Sequence, residues 1–168
     1  MIDYRLATME DLDRIYNIVN SAIDRMISQN ILQWDHVYPT KEDFKKDIEE
    51  KQLYLGLVDN EIAVIYVLNQ EYDDEYKNGN WKYTGTSFYI IHRLCVNPSF
   101  QNMGFGKSTL LHIEDELLHM GIYWIRLDVF SENPYALNLY RNFGYNAVGY
   151  ADWRKGRFLL MEKQIIRD

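Results

Sequence analysis

Hydrophobic positions recur with two different periods along this chain, and the period distinguishes the predicted helices from the predicted strands. Helical spacing runs from residue 12 to residue 26, after a capping-box pattern at Thr8 and Asp11. A second capped helix is predicted at residues 40–50. Apolar runs rich in β-branched and aromatic residues predict strands at residues 2–6, 53–58, 62–68, 87–96, 123–130, 145–150 and 157–163.

Two further helices are marked by their cap residues. Residues 107–120 have apolar positions at helical spacing, and Gly121 follows them as a C-cap. Asn133 and Pro134 form an N-cap and N1 pair, which opens a helix that ends at Gly144. The four predicted helices thus all have a recognisable start or stop signal.

The connections between elements complete the predicted topology. Asp59 and Asn60 predict a tight turn between two strands, whereas the polar residues 69–86 predict a long loop. Helices alternate with strands only in part, so we expect a mixed sheet with both parallel and antiparallel pairs.

Composition and charge narrow the class of protein. The chain has 168 residues, of which 47% are hydrophobic, and this predicts one globular domain over residues 1–168. The net charge is −7 and no long basic run occurs, so we expect no nucleic-acid partner. Cys95 is the single cysteine, which excludes an internal disulfide and a cysteine-based zinc site. The first residues form no signal peptide and no apolar run would span a bilayer, so we predict a cytoplasmic protein without a membrane partner.

A glycine-containing segment between the predicted fourth strand and the third helix carries the clearest chemistry. Its residues are Gln101, Asn102, Met103, Gly104, Phe105, Gly106, Lys107 and Ser108. Such a turn into a helix N-terminus exposes backbone N–H groups and the positive end of the helix dipole, which suits a phosphate group. Neither a dinucleotide fingerprint nor a Walker loop is present.

The spelling Gln-x-x-Gly-x-Gly at residues 101–106 resembles the acetyl-CoA loop of the GNAT N-acetyltransferases. A later run resembles the second half of that family's signature: Asn133, Ala136, Leu139, Tyr140, Phe143, Gly144 and Tyr145. The resemblance implies an α/β (α+β) fold with a mixed, mostly antiparallel central sheet of six to seven strands and helices on both faces. It also implies an acyltransferase that uses acetyl-CoA as co-substrate and no metal.

The resemblance assigns roles on the donor side. The amides from Asn102 to Lys107 would hold the pyrophosphate, and the main chain of Leu94, Cys95 and Val96 would pair with the pantetheine arm like an added strand. Asn133 would bond the same arm, although a helix N-cap alone also explains this residue. Tyr140 would protonate the departing thiolate, although a core tyrosine is the alternative. The predicted cofactor-binding residues are Leu94, Cys95, Val96, Gln101, Asn102, Met103, Gly104, Phe105, Gly106, Lys107, Ser108, Asn133 and Tyr140.

The acceptor amine must lose its proton before it attacks, because a lysine-like amine is neutral only about once in 2,000 molecules at pH 7. Asp128 and His92 are the candidate bases. Asp128 lies five residues before the motif asparagine, where some N-terminal acetyltransferases of this superfamily have an acidic residue. It could instead be an ion-pair partner of Arg93 or Arg126, and His92 could be a hydrogen-bonded sheet residue. The glutamate that some relatives carry in the fourth strand is missing, so the base stays unassigned.

Loop aromatics are the candidates for the acceptor side. In a subset of GNAT proteins that this chain resembles, a Gln-Trp and a Tyr-Pro pair lie between the first two helices, together with later His-Arg-Leu and Arg-Leu-Asp segments. This chain has them at residues 33–34, 38–39, 92–94 and 126–128. Trp34, Tyr38 and Trp81 are therefore predicted to bind the substrate, although loop aromatics also serve as core edges.

We expect direct transfer of an acetyl group from acetyl-CoA to an amine within a ternary complex, and the acceptor is predicted to be a small molecule or an amino acid. Transfer through Cys95 is less favoured, since no neighbouring residue would activate the thiol. A protein N-terminal acetyltransferase and a non-catalytic acyl-CoA-binding sensor are the alternatives. Whether the protein forms a homodimer stays open.

Overall fold

The computed structural model describes residues 1–167, so the last position of the predicted single domain lies outside the described residues. Within them are seven strands and four α-helices. The strands are β1 (Asp3–Leu6), β2 (Leu53–Val58), β3 (Glu61–Asn69), β4 (Phe88–Val96), β5 (Trp124–Phe130), β6 (Asn146–Trp153) and β7 (Gly156–Gln164). The helices are α1 (Leu12–Ser28), α2 (Lys41–Glu49), α3 (Phe105–His119) and α4 (Pro134–Asn142).

The strands form one mixed sheet in the order β1-β2-β3-β4-β5-β7-β6. β4 pairs with β5 in parallel, with Ile90 opposite Arg126, while β1–β2, β2–β3, β5–β7 and β6–β7 are antiparallel. The predicted mixed, mostly antiparallel sheet of six to seven strands is thereby confirmed. Every predicted strand and helix is present, with ends that differ from the prediction by a few residues.

Two compact units make up the chain. The first unit contains Met1–Leu68 and Arg93–Thr109, and the second contains Asn69–His92 and the residues from Leu110 onward. The prediction of a single domain stays a prediction.

The first unit is built on local signals that its sequence shows. The Asp11 carboxylate accepts a 2.8 Å hydrogen bond from the Thr8 amide before α1, and it pairs with Arg5 at 2.8 Å. Thr40 and Asp43 bond each other reciprocally at the start of α2. The apolar faces of these helices then pack with β2 and β3 in a core of Ala7, Leu12, Ile15, Val19, Ala22, Ile23, Trp34, Phe44, Ile48, Leu53, Leu55, Ile62, Ile65, Val67 and Cys95.

The second unit contains the long connection between β3 and β4, residues 69–86. Asn69 is the last residue of β3 and residues 70–86 contain no strand, but a short 3-10 turn at Asp74–Asn78 buries Tyr76 to 2% exposure. The backbone lies so close to the aromatic rings that a Cβ atom at Gly79 would sit 2.5 Å from the Trp81 ring. This connection, named here the aromatic connection (residues 69–86), packs with Phe88, Ile90, Ala151 and Leu160.

Candidate active site

The glycine-containing loop of the first unit opens α3. β4 ends at Val96, a short 3-10 turn follows at Pro98–Phe100, and α3 begins at Phe105. The Ser108 amide donates to the Gly104 carbonyl at 3.0 Å, which is the first i→i−4 bond of the helix. The amides of residues 105–107 precede that bond and so have no partner of this kind within α3. Together with the helix dipole they form an anion-binding end.

The conformation of this loop explains its glycine. Gly104 has a φ of +80°, and Asn102 has a φ of +62°, so both lie in the left-handed region. A Cβ atom at Gly104 would meet no other protein atom within 4 Å. The open space in front of α3 is therefore not filled by the protein's own packing, and a side chain at residue 104 would occupy it.

The end of β4 contains the single cysteine of the chain. Cys95 is 5% exposed within the apolar core of the first unit, and burial raises the pKa of its thiol to about 12. At neutral pH the thiol is protonated, which disfavours the thiolate that an acyl-enzyme route requires. Leu94 and Val96 on either side are half-buried, and their predicted pairing with pantetheine stays a prediction.

Arg93 is bonded through three nitrogens of its guanidinium group. Its Nε and Nη2 donate to the two carboxylate oxygens of Asp47 at 2.9 and 2.7 Å, and its Nη1 donates to the Tyr38 hydroxyl at 2.8 Å. All three guanidinium nitrogens of Arg93 therefore serve the segment between α1 and β2. Arg93 also has a φ of +50° within β4, so the strand is irregular at this residue.

The predicted substrate-binding aromatics lie in three different environments. Trp34 is 7% exposed and belongs to the core of the first unit. Tyr38 is 41% exposed, and its hydroxyl oxygen accepts the hydrogen bond from Arg93. Trp81, in the second unit, is half-buried in the aromatic connection, where its Nε1 donates to the Tyr76 carbonyl at 2.7 Å. Their contact with an acceptor stays a prediction, and burial makes Trp34 the least suited to it.

Asn133 and Tyr140 lie at the two ends of α4 in the second unit. The Asn133 Oδ1 accepts a 3.1 Å bond from the Ala136 amide, which confirms the N-cap. Tyr140 is buried and packs edge-on against Tyr145 at 5.7 Å between ring centroids. Burial, with a smaller contribution from the Asp128 charge, raises the pKa of the Tyr140 phenol above its usual value. Tyr140 is therefore a protonated group at neutral pH.

Asp128 is held by a residue that the sequence analysis missed. The Tyr76 hydroxyl donates to the Asp128 Oδ2 at 2.7 Å. Burial and the Asp128 carboxylate raise the pKa of Tyr76 well above its usual value, so the phenol remains the donor. The Tyr76 ring in turn stacks on Tyr72 and Trp81. The available signal was the recurrence of aromatic residues in an otherwise polar stretch.

The hydrogen bonds of His92 constrain its role as a base. Its Nε2 lies 2.8 Å from the Asn69 Oδ1 and 3.0 Å from the Glu71 carbonyl oxygen. Both neighbours are acceptors, so Nε2 is the nitrogen that carries the donated proton. His92 thus ties β4 to the beginning of the aromatic connection, and its catalytic role stays a prediction.

Neither a metal-ligand group nor a membrane-spanning helix occurs within residues 1–167. No three side chains of His, Cys, Asp or Glu come together as a metal-ligand group. Among the same residues, no helix has the length and apolar character needed to cross a membrane.

Comparison with known proteins identifies a family and several relatives of similar sequence. The model of the acetyltransferase (GNAT) family matches residues 16–145. The [ribosomal protein bS18]-alanine N-acetyltransferase of Salmonella typhimurium is 30% identical over 127 residues, which cover 75% of this chain and 77% of the relative. The spermine/spermidine N(1)-acetyltransferase of Bacillus subtilis is 27% identical over 148 residues, which cover 84% of this chain and 90% of that protein.

Solved structures show the same fold. A GNAT-family acetyltransferase from Streptococcus agalactiae superposes with a TM-score of 0.83 at 20% identity, covering 99% of this chain and 96% of that one. An N-acetyltransferase from Thermoplasma acidophilum in complex with coenzyme A superposes with a TM-score of 0.70 at 18% identity, covering 98% of this chain and 99% of that one. The family match over most of the chain and the shared fold agree, and this chain belongs to the GNAT family of N-acetyltransferases.

Proposed function

We propose that this protein transfers the acetyl group of acetyl-CoA to the amine of a small molecule or an amino acid, by direct attack in a ternary complex. The observation that carries the proposal is the loop from Gln101 to Gly104, whose left-handed backbone opens α3 with three amides that precede the first helical bond. The Thermoplasma acidophilum structure with coenzyme A supports the choice of donor.

On the donor side, the loop amides and the helix dipole bind the pyrophosphate of the donor. The backbone of Leu94–Val96 pairs with the pantetheine arm, and Asn133 contributes a further bond beside its N-cap role. The acetyl thioester supplies the group that is transferred. Because Cys95 is buried and protonated, the amine itself is the nucleophile that attacks the thioester carbon.

The protein's own ionisable groups handle two protons in this scheme. Asp128, oriented by the Tyr76 hydroxyl, accepts the proton of the incoming ammonium group directly or through water. Tyr140, which burial keeps protonated, donates to the departing thiolate. His92, bonded to Asn69 through its Nε2, is the second candidate base.

A protein N-terminus is the alternative acceptor. The Salmonella typhimurium relative is an alanine N-acetyltransferase for a ribosomal protein, whereas the Bacillus subtilis relative acetylates spermine and spermidine. The second match covers more of this chain, and a small amine is accordingly the acceptor class that we test first. A non-catalytic acyl-CoA sensor would bind the donor and release no coenzyme A with any amine.

The test combines donor binding with turnover. Isothermal calorimetry measures acetyl-CoA affinity, and a panel of polyamines, amino acids and N-terminal peptides is screened for release of free coenzyme A. Gly104→Glu places a charged side chain in the open space before α3, and we expect it to abolish acetyl-CoA binding. Gly121→Glu is the matched control, because Gly121 also has a positive φ, +77°, and an open Cβ position. Equal affinity in both variants would refute the assignment of the loop.

A further inference from the structure

A pocket of about 450 Å³ lies within the second unit, between the aromatic connection and the strands beneath it. Five aromatic residues line it together with Arg126 and with Lys77, whose ammonium group pairs with Asp74 at 3.5 Å. Within residues 1–167, no aspartate or glutamate lines it. The aromatic lining consists of Tyr72, Tyr76, Trp81, Tyr83 and Phe88.

Arg126 is the buried charge of this pocket. It is 6% exposed, its guanidinium carbon lies 4.0 Å from the Trp81 ring centroid and 3.8 Å from that of Phe88, and its Nη2 donates to the Tyr83 carbonyl at 2.7 Å. Its Nε is buried without a hydrogen-bond partner. Among the described residues it forms no salt bridge, which is unusual for a cation at this depth.

The carboxylate that lies opposite Arg126 in the sheet is bonded to other groups. Glu162 lies opposite Arg126 in the β5–β7 pair, but its oxygens accept the Lys82 and Tyr83 amides at 2.9 and 3.2 Å. Burial lowers the pKa of Arg126, and the charge of Glu162 opposes that shift in part. The Arg126 guanidinium therefore lines the pocket with hydrogen-bonding capacity that the protein leaves unused.

We propose that this pocket binds a carboxylate group borne by the acetyl acceptor, with the aromatic walls packing against an apolar or aromatic part of the same molecule. The identification of this ligand as the acetyl acceptor rests on the proposed function, whereas the binding of a carboxylate does not.

Three properties of the pocket match this ligand. A guanidinium presents N–H groups in a planar fork that fits a carboxylate. The stacked tyrosine and tryptophan rings offer flat apolar surfaces, and the volume is within the range of sites for small molecules. Tyr76 joins the pocket to the reaction, because its ring lines the wall and its hydroxyl is bonded to Asp128.

The charge of the pocket also separates acceptor classes. The whole chain carries −7 and attracts cations weakly at long range, yet Arg126 places a buried positive charge at this wall. A polyamine, which has only positive groups, would be repelled there. An amine that also carries a carboxylate would be favoured, so the acceptor class is an amino carboxylate with an aromatic or apolar body.

The first test uses a ligand that cannot be acetylated. Phenylacetate and its neutral amide, phenylacetamide, are titrated into the ¹⁵N-labelled protein, and the indole N–H of Trp81, assigned with Trp81→Phe, reports binding. We expect the carboxylate to bind about 10–100-fold more tightly than the amide, as a charge-assisted bond predicts. Equal affinities, or no saturable shift with phenylacetate, would overturn the proposal.

Two variants separate binding from folding. Arg126→Gln is expected to remove the preference for the carboxylate while leaving the weak binding of the amide. Arg157→Gln is the matched control, since Arg157 also lies over an aromatic ring, that of Tyr150 at 3.7 Å, but outside the pocket. If Arg126→Gln loses the fold, Arg126→Lys keeps the charge without the fork, and an unchanged preference there would show that the fork is not the recognition element.

The second test connects the pocket to turnover. Acetylation of 4-(aminomethyl)benzoate is compared with that of its amide, and we expect a kcat/KM about 10–100-fold higher for the carboxylate, with phenylacetate as a competitive inhibitor. Phenylacetate that binds without competing would identify an effector site and refute the acceptor assignment. Tight acetyl-CoA binding with no acetylation of any amine would instead refute the proposed function and leave the first test's result standing.

Discussion

Replacing Tyr76 with phenylalanine tests whether Asp128 acts as the base. The variant removes one hydroxyl group, which donates to the Asp128 carboxylate at 2.7 Å, and keeps the ring that stacks on Tyr72 and Trp81. A hydrogen bond to a charged group is worth roughly 1.5–3 kcal/mol, and this bond favours the ionised carboxylate. Its loss removes that stabilisation from the charged form of Asp128 only.

The assay is the pH dependence of kcat/KM with an amine found in the acceptor screen. If Asp128 is the base, the acidic limb of the profile should move toward higher pH in Tyr76→Phe, because the carboxylate then protonates more readily. A loss of stability with an unmoved acidic limb would refute the catalytic role of Asp128. Tyr145→Phe is the matched control, since the buried Tyr145 hydroxyl has no hydrogen-bond partner among the described residues, and its removal should leave the profile unchanged.

Three further variants follow from the same structure. Tyr140→Phe should keep acetyl-CoA binding by calorimetry and lower kcat by about 10–1,000-fold, and full activity with chemistry rate-limiting would restrict Tyr140 to packing. Asp11→Asn should lower the free energy of unfolding, measured in urea at pH 7, by about 2 kcal/mol, because Arg5 lowers the pKa of Asp11 from 3.8 to about 2. The difference should be present above pH 4 and disappear as the pH falls through 2. A difference that does not depend on pH would contradict this. Asp47→Asn leaves the buried Arg93 guanidinium without its carboxylate and should lower the free energy of unfolding by about 3–5 kcal/mol. If the ion pair is the cause, the double variant with Arg93→Met should recover most of that loss.

The sequence was sufficient to predict the strands and helices, because neighbouring residues determine them. Apolar periodicity and caps predicted each strand and helix, because those signals lie within a few residues of the structure that they determine. Asp59 and Asn60 both have positive φ, as their turn requires. Gly104 was also predictable, because a left-handed turn before a helix imposes glycine on the sequence itself.

Pairings between distant residues were not predictable in the same way. Arg93 and Asp47 are 46 positions apart, and Tyr76 and Asp128 are 52 positions apart, so no local pattern connects either pair. Several charged residues satisfied the same expectation, so the sequence did not select the partner of Arg93. The packing of the aromatic connection was missed for a related reason, since its rings follow neither the helical nor the strand period.

The burial of Cys95 has a practical consequence for the chemistry of the assay. A thiol that is protonated at neutral pH and enclosed in the core reacts slowly with disulfide reagents, whereas the thiol of released coenzyme A is in solution. Turnover can therefore be followed continuously with a chromogenic disulfide, without masking the protein. In denaturant the same reagent should titrate one sulfhydryl per chain, and the rate at which it appears measures how often the first unit opens.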